Sequence, residues 1–227
     1  PFLASNAVAH EGALALRLGL PGWPRAAEEL FVYRAVSLAM LTKAHVHLQS
    51  LSSAGSVEIL QRAKERGVPV TADVTPHHLA LTDSTLADYN TNLKTNPPLR
   101  EESDRQALLA GLLDGTIDCI ATAHEPYLEH EKDMEFDLAP FGVIGLETAL
   151  SVSLESIVKS GAGSVSDMVG ALTHRPASVL GLNKGTLSSG AIADIVIFDQ
   201  QKEWIVTPEN LESLSSNSPW LGKNMTG

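Results

Sequence analysis

Between residues 44 and 74 the chain reads apolar alternation, then helical spacing, then apolar alternation again, and this order constrains the fold more than any other feature. AHVHLQSL (44–51) alternates as a strand does. SVEILQRAKERG (56–67) carries its apolar residues at helical intervals, with Gly67 placed as the stop. VPVTADV (68–74) is a second strand. A strand, a helix and a strand in this order make a crossover unit, whose two strands run parallel and bury both faces.

The pattern recurs. DRQALLAGLLDG (104–115) is a helix closed by Gly115, and TIDCIAT (116–122) follows as a buried strand. Gly142 and Gly145 are expected to open a further helix in GLETALSVSLESIVKSG (145–161), and SVSDMVGALTHRPASVLGL (164–182) adds one or two more. After residue 182 the texture changes to glycine-punctuated short strands, GTLSSGAIADIVIFDQQKEWIVTP (185–208), so a small β appendage over 183–227 is expected beside an α/β part over 1–182. There is no internal repeat and no low-complexity segment. A complete β/α barrel takes about 250 residues and eight strands. Three or four barrel strands are recognisable here, so the sheet is either open or the second part of a barrel. The chain begins with Pro1 rather than Met, which fits a processed or longer precursor.

With 227 residues, 44% of them hydrophobic, the chain can bury a substantial core. A net charge of −11 without a Lys/Arg cluster argues against nucleic acid and anionic membranes as partners. Cys119 is the single cysteine and falls in an expected buried strand, so it reads as a small core residue in a reducing compartment. No apolar run reaches a membrane span and PFLASNAVAHEG lacks a signal-peptide pattern, which makes the expected location cytoplasmic.

Several clusters could carry chemistry. His45 and His47 share one strand face and could share a metal, or be packed behind the sheet. Alternation puts Ser50 on the opposite face, so a pocket reached through Ser50 would have both histidines turned away from it. His77 and His78 follow a strand end, where β/α enzymes place functional loops and where at most one of two adjacent histidines would face a pocket. In NTNLKTNPPLRE, the groups Asn92, Lys94, Asn96 and Arg100 surround a rigid Pro97-Pro98 pair, a set suited to a small anionic or amide ligand or to a solvated loop. ATAHEPYLEHEK (121–132) crowds His124, Glu125, Glu129, His130 and Glu131 after a strand, but without the spacing of a helical metal site.

HEG…LGLPGWPRAAEE, SAGSVEILQRAKERGVPVTADVTPHHL, TNLKTNPPLREESDRQALLAGLLDGTIDCIAT, EK…EF…APFGVIGLETAL and GAIADIVIFD together resemble the bacterial type I dihydroorotases of the amidohydrolase superfamily, over nearly the whole chain. NPPLR with its preceding loop is closer to dihydroorotase than to hydantoinase or allantoinase. The resemblance implies the C-terminal part of a (β/α)8 metal-dependent hydrolase (TIM) barrel plus a β segment of a composite small domain. It also implies one or two zinc ions, and interconversion of dihydroorotate and carbamoyl aspartate in pyrimidine synthesis.

Residue by residue, the same resemblance implies a vacated site. Ser50, in SLSSAGS, stands where the family has a zinc-binding histidine, and Ala123, in TAHEPY, where it has the metal-binding, proton-shuttling aspartate. Tyr127 replaces a substrate-contacting histidine, while Asn96, Phe141 and Gly142 match substrate-contacting positions and His124 matches a supporting one. The family's remaining ligands belong to a portion before Pro1. The expected protein is therefore an inactive dihydroorotase homologue, with zinc absent or weakly held, acting as a structural partner of aspartate carbamoyltransferase or through self-association. The alternatives are a zinc hydrolase with a rebuilt or mononuclear site, and a protein that binds a pyrimidine precursor without turnover.

Overall fold

The computed structural model describes residues 3–227, so Pro1 and the expectation attached to it lie outside the described residues. The chain starts with β1 (Ala9–His10), α1 (Ala13–Leu18) and β2 (Gly22–Trp23), and β1 and β2 pair in parallel. The 18-residue helix α2 (Arg25–Thr42) follows Pro24, whose extended backbone sits at the helix start, and ends at Lys43 in a left-handed turn. Sequence patterning did not mark α2. The expected strand-helix-strand unit then forms as β3 (Val46–Leu48), α3 (Ala54–Glu65) and β4 (Val70–Val74). Ser53 Oγ accepts the Ser56 amide and caps α3, and Gly67 takes positive φ after its end.

Beyond β4 lie the short helix α4 (Pro76–Ala80), α5 (Glu102–Asp114), closed by left-handed Gly115, and β5 (Cys119–Ile120). The one-turn helix α6 (Glu129–Lys132) precedes α7 (Ala149–Ser153), which continues as π-helix through Leu154–Lys159; then come α8 (Val165–Leu172) and α9 (His174–Val179). An antiparallel pair, β6 (Glu203–Ile205) and β7 (Asn224–Thr226), ends the chain. No helix among the described residues is long and apolar enough to cross a membrane.

Strands β3, β4 and β5 form a parallel sheet in that order, as the crossover rule predicts, with Val46 opposite Val70 and Asp73 opposite Cys119. Alternation divides its faces. Val46, Leu48, Ala72, Val74 and Ile120 pack on helix residues including Val57, Leu60, Leu108 and Leu112, the main core. His45, His47, Thr71, Asp73 and Cys119 carry the other parity. Burial and the neighbouring Asp73 and Asp118 push the Cys119 thiol up to about 12, so it is an inert core thiol as expected. Helices α3 and α5 approach closely at Gly111, where a Cβ would meet Val57 Cγ1 at 2.9 Å.

Three expectations need correction. The strands are shorter than the apolar runs, because pairing exists over only two to five residues of each. Neither Gly142 nor Gly145 opens a helix: α7 begins at Ala149, and Gly145 lies so close to the end of the 119–122 segment that a Cβ would be 2.5 Å from Thr122 O. In the appendage only β6 and β7 form, while Ile192, Ile195, Val196 and Ile197 stay exposed and unpaired. A strand without a neighbour has nothing to satisfy its amides but water, whatever its propensity.

Candidate functional site

Ser50, Asp73 and the Ala123-His124 pair lie at or just beyond the C-terminal ends of β3, β4 and β5 respectively. Ser50 has left the strand with φ 54°, and its amide donates to Asp73 Oδ1 at 2.7 Å. Asp73 Oδ2 lies 2.9 Å from His47 Nε2, while His47 Nδ1 is 2.8 Å from Thr71 Oγ1, which in turn is 3.1 Å from His45 Nε2. The carboxylate can only accept, so His47 Nε2 is the donor in that contact. Regular strand alternation ends at Leu48, before Ser50. The Asp73 carboxylate thus joins the His47 ring to the backbone amide of Ser50.

Ala123 is also left-handed, with φ 45°. Next to it, His124 bridges to Val143, and its Nδ1 accepts the amides of Gly145 (3.2 Å) and Leu146 (3.4 Å). Left-handed backbone costs a residue with a Cβ about 1–2 kcal/mol, and such strain concentrates at functional sites. Both positions where the resemblance expects a metal ligand carry this backbone, and neither carries a ligand side chain. Ala123→Gly is expected to stabilise the fold by up to about 1 kcal/mol, read as a higher urea midpoint. A lower midpoint would mean that the strain is compensated by contacts of the methyl group.

The zinc that the resemblance implies does not fit this donor set. A serine hydroxyl is a poor zinc ligand and a methyl group is none. Around them, Glu125, Glu129 and His130 are exposed, and Glu131 Oε2 accepts the Leu128 amide at the start of α6. Among the described residues one trio has ligand atoms close enough for an ion, His10, Glu101 and Asp104. It already has its cation: Arg25 donates to Glu101 at 2.7 Å and to Asp104 at 2.5 Å, and Arg100 sits 3.2 Å from His10 Nδ1. Burial, then the Arg100 charge, hold His10 below the ordinary histidine range.

The other expected donors are engaged internally. Lys94 is buried, donating from Nζ to the carbonyls of Asp137 (3.1 Å) and Ala139 (2.7 Å), and Arg100 is buried among Ser52, Trp23 and Glu28. Neither can serve as a ligand donor, whereas Asn96 remains exposed. His77 and His78 lie on α4 and both are buried. His78 is tied to Thr75 Oγ1 (2.7 Å) and the Pro97 carbonyl (3.1 Å).

Tyr127, Phe141 and Gly142 do come together. Gly142 has φ 122°, and a Cβ there would fall 2.2 Å from Glu125 Oε2 and 2.9 Å from Tyr127 Cε2, so only glycine fits. Phe141 meets Trp23 edge-on, with centroids 6.0 Å apart, and Lys94 Nζ lies 4.6 Å from its ring centre. Residues that sequence reasoning missed hold this region: Asp73, Lys132 and Asn217. A cleft of about 520 Å³ lined by His45, Thr71, Asp118, His174 and Arg175 lies at the opposite, N-terminal ends of the strands, away from Ser50 and Ala123.

A model of the Amidohydrolase family matches residues 27–220. A protein named dihydroorotase from Endomicrobium trichonymphae is 47% identical over 226 residues, covering 99% of this chain and 54% of that protein. Another of that name, from Anaeromyxobacter dehalogenans (strain 2CP-C), is 48% identical over 227 residues, 52% of its length. The chain spans about half the length of the curated relatives it matches. Among solved structures, L-hydantoinase (dihydropyrimidinase) from Arthrobacter aurescens is similar with a TM-score of 0.82 at 27% identity, over 87% of this chain and 45% of that one. Dihydropyrimidinase from Brevibacillus agri NCHU1002 shares the fold, with a TM-score of 0.83 at 24% identity over 90% of this chain and 46% of that one.

Proposed function

The chain belongs to the amidohydrolase family, and on that premise we propose that it is a catalytically inactive dihydroorotase homologue of pyrimidine biosynthesis with a structural role. One observation carries the reading. Ser50 and Ala123 keep the left-handed backbone of strand-end site residues but offer a hydroxyl and a methyl group where a hydrolase needs an imidazole and a carboxylate. Loss of a general base alone costs about 10²–10⁴ in rate, and loss of a metal-bound hydroxide removes the nucleophile too.

In this reading residues 1–182 are part of a (β/α)8 barrel and residues 183–227 part of a small β domain. Two features support it. β3 keeps one strand edge unpaired among the described residues, and the 192–197 segment has strand composition without a partner. Such edges are covered in folded proteins, so further barrel strands are supplied by another segment or another chain. Asn96, Phe141 and Gly142, with Tyr127 in place of a histidine, are the residues left to meet a pyrimidine precursor. The structural partner proposed is aspartate carbamoyltransferase.

The test assays purified protein with added zinc for dihydroorotate hydrolysis and carbamoyl aspartate cyclisation, measures bound zinc, and sediments the protein with aspartate carbamoyltransferase. No zinc-dependent turnover, substoichiometric metal and co-sedimentation are expected. Robust turnover would overturn the inactive reading, and separate sedimentation the proposed partner.

A further inference from the structure

The segment that carries Phe141 and Gly142 has almost no regular structure of its own. Between α6 and α7 it runs for 16 residues, and it is fixed by side chains from elsewhere. Lys94 Nζ donates to the carbonyls of Asp137 and Ala139, and Lys132 Nζ donates to those of Pro140 (2.8 Å) and Gly142 (2.9 Å). Two ammonium groups thus bind four carbonyls within six residues. Both lysines are almost fully buried, at 2% and 5% exposure. Each also lies against an aromatic face, Lys94 on Phe141 and Lys132 on Tyr127.

A third side chain ties this segment to the vacated strand end. Asn217, 4% exposed, donates from Nδ2 to the carbonyls of Glu125 (2.9 Å) and Gly142 (3.2 Å), and its Oδ1 accepts the Tyr127 amide at 3.1 Å. Its own backbone carbonyl accepts the Ile144 amide at 3.1 Å. Its three side-chain hydrogen bonds all go to two segments that also meet at the His124–Val143 bridge and through His124 Nδ1. Burying a charged amine is expensive unless its donors are satisfied, so two such amines whose hydrogen bonds go to backbone carbonyls mark a loop whose shape is enforced. In a planar peptide the C=O and N–H point opposite ways, so holding the Pro140 carbonyl on Lys132 turns the Phe141 N–H outward from the clamp. That leaves a donor suited to a carbonyl or carboxylate oxygen.

We propose that Lys94, Lys132 and Asn217 are positioning residues that clamp residues 137–143 against the Glu125–Tyr127 strand end and thereby set affinity for a ligand carrying a carbonyl or carboxylate oxygen. The inference rests on the reading that Phe141 and Gly142 meet a ligand. Burial, followed by the Lys94 charge, lowers Lys132 to about 8, which agrees with an amine held for its donors in a costly place.

The test compares the wild-type protein with Lys132→Met, Lys132→Arg and the near-isosteric Asn217→Asp. Hydrogen exchange across 137–144 reads the clamp, and calorimetric titration with dihydroorotate, well below every melting midpoint, reads the consequence. Lys132→Met and Asn217→Asp are expected to raise amide exchange in 137–144 at least about tenfold and to weaken dihydroorotate about tenfold or more, with Lys132→Arg recovering part of both. Unchanged exchange in both variants overturns the clamp. Faster exchange with unchanged affinity overturns the positioning role. If the wild type binds no dihydroorotate, the ligand reading of the site fails instead, and the exchange measurement alone decides whether the clamp exists.

Discussion

Acidification from pH 6.5 to pH 4 is expected to remove about 3 kcal/mol of folding stability through His78 alone. Burial lowers this imidazole from an ordinary 6.5 to about 4, against a smaller opposing effect of the Glu28 charge. The unfolded chain therefore takes up the proton first. Between pH 6.5 and 4 it binds more protons than the native state, so the contribution is fully present above 6.5 and is lost as pH falls through this window. The geometry explains the preference for the neutral ring. The Pro97 carbonyl can only accept, so Nε2 carries the hydrogen and Nδ1 receives the Thr75 hydroxyl. His77, also pushed well below its ordinary value by burial and then by its neighbour His78, adds in the same direction. Urea midpoints measured from pH 7 to pH 4.5 should fall steeply. His78→Gln, which keeps a donor for Pro97, should lower stability at pH 7 and flatten that slope; an equally steep slope in the variant would rule out His78 as its source.

Local patterning carried far in the sheet and much less far in the site. The strand-helix-strand unit was legible because its periods switch from 2 to 3.6 and back, and because Gly67 and Gly115 stand where helices must stop. Helix α2 was not legible for the opposite reason. Leu30, Phe31, Tyr33, Leu38 and Leu41 are exposed while Val32 and Ala39 are buried, so apolar residues surround the helix and leave no stripe to count. The IADIVIFD segment has strand composition, but pairing needs a neighbour that composition does not reveal.

At the site, the resemblance marked Ser50, Ala123, Tyr127, Phe141 and Gly142, and the fold places all of them at or near strand ends. What holds them was invisible. The Asp73 carboxylate joins His47 to the Ser50 amide, and Lys132 and Asn217 act across 8 to 92 residues of sequence, through contacts that no spacing encodes. Lys94 and Arg100 misled because a polar loop sequence does not say which of its cations the fold will bury.

Arg100 shows how much depends on that difference. Its side chain is almost fully buried, donates from Nε to Ser52 Oγ (2.9 Å) and from Nη1 to the Trp23 carbonyl (3.0 Å), and sits 3.5 Å from Glu28 through Nη2. Glu28 in turn accepts the amides of Ser52 (3.0 Å) and Ser53 (3.1 Å) just ahead of α3. One guanidinium therefore joins the end of β2, the first turns of α2 and the start of α3. Removing one partner of a buried pair typically costs about 3–5 kcal/mol, because the other charge is left without compensation. Nη2 has no hydrogen bond of its own, so Arg100→Met is expected at the lower end, about 3 kcal/mol. Adding Glu28→Gln to Arg100→Met removes the stranded charge and should return part of the loss, a non-additivity that unfolding midpoints of the two single variants and the double variant would measure. If Arg100 were instead a ligand donor on a solvated loop, Arg100→Met would melt as the wild type does and lose only ligand affinity. Equal urea midpoints for wild type and Arg100→Met would therefore reject the structural assignment.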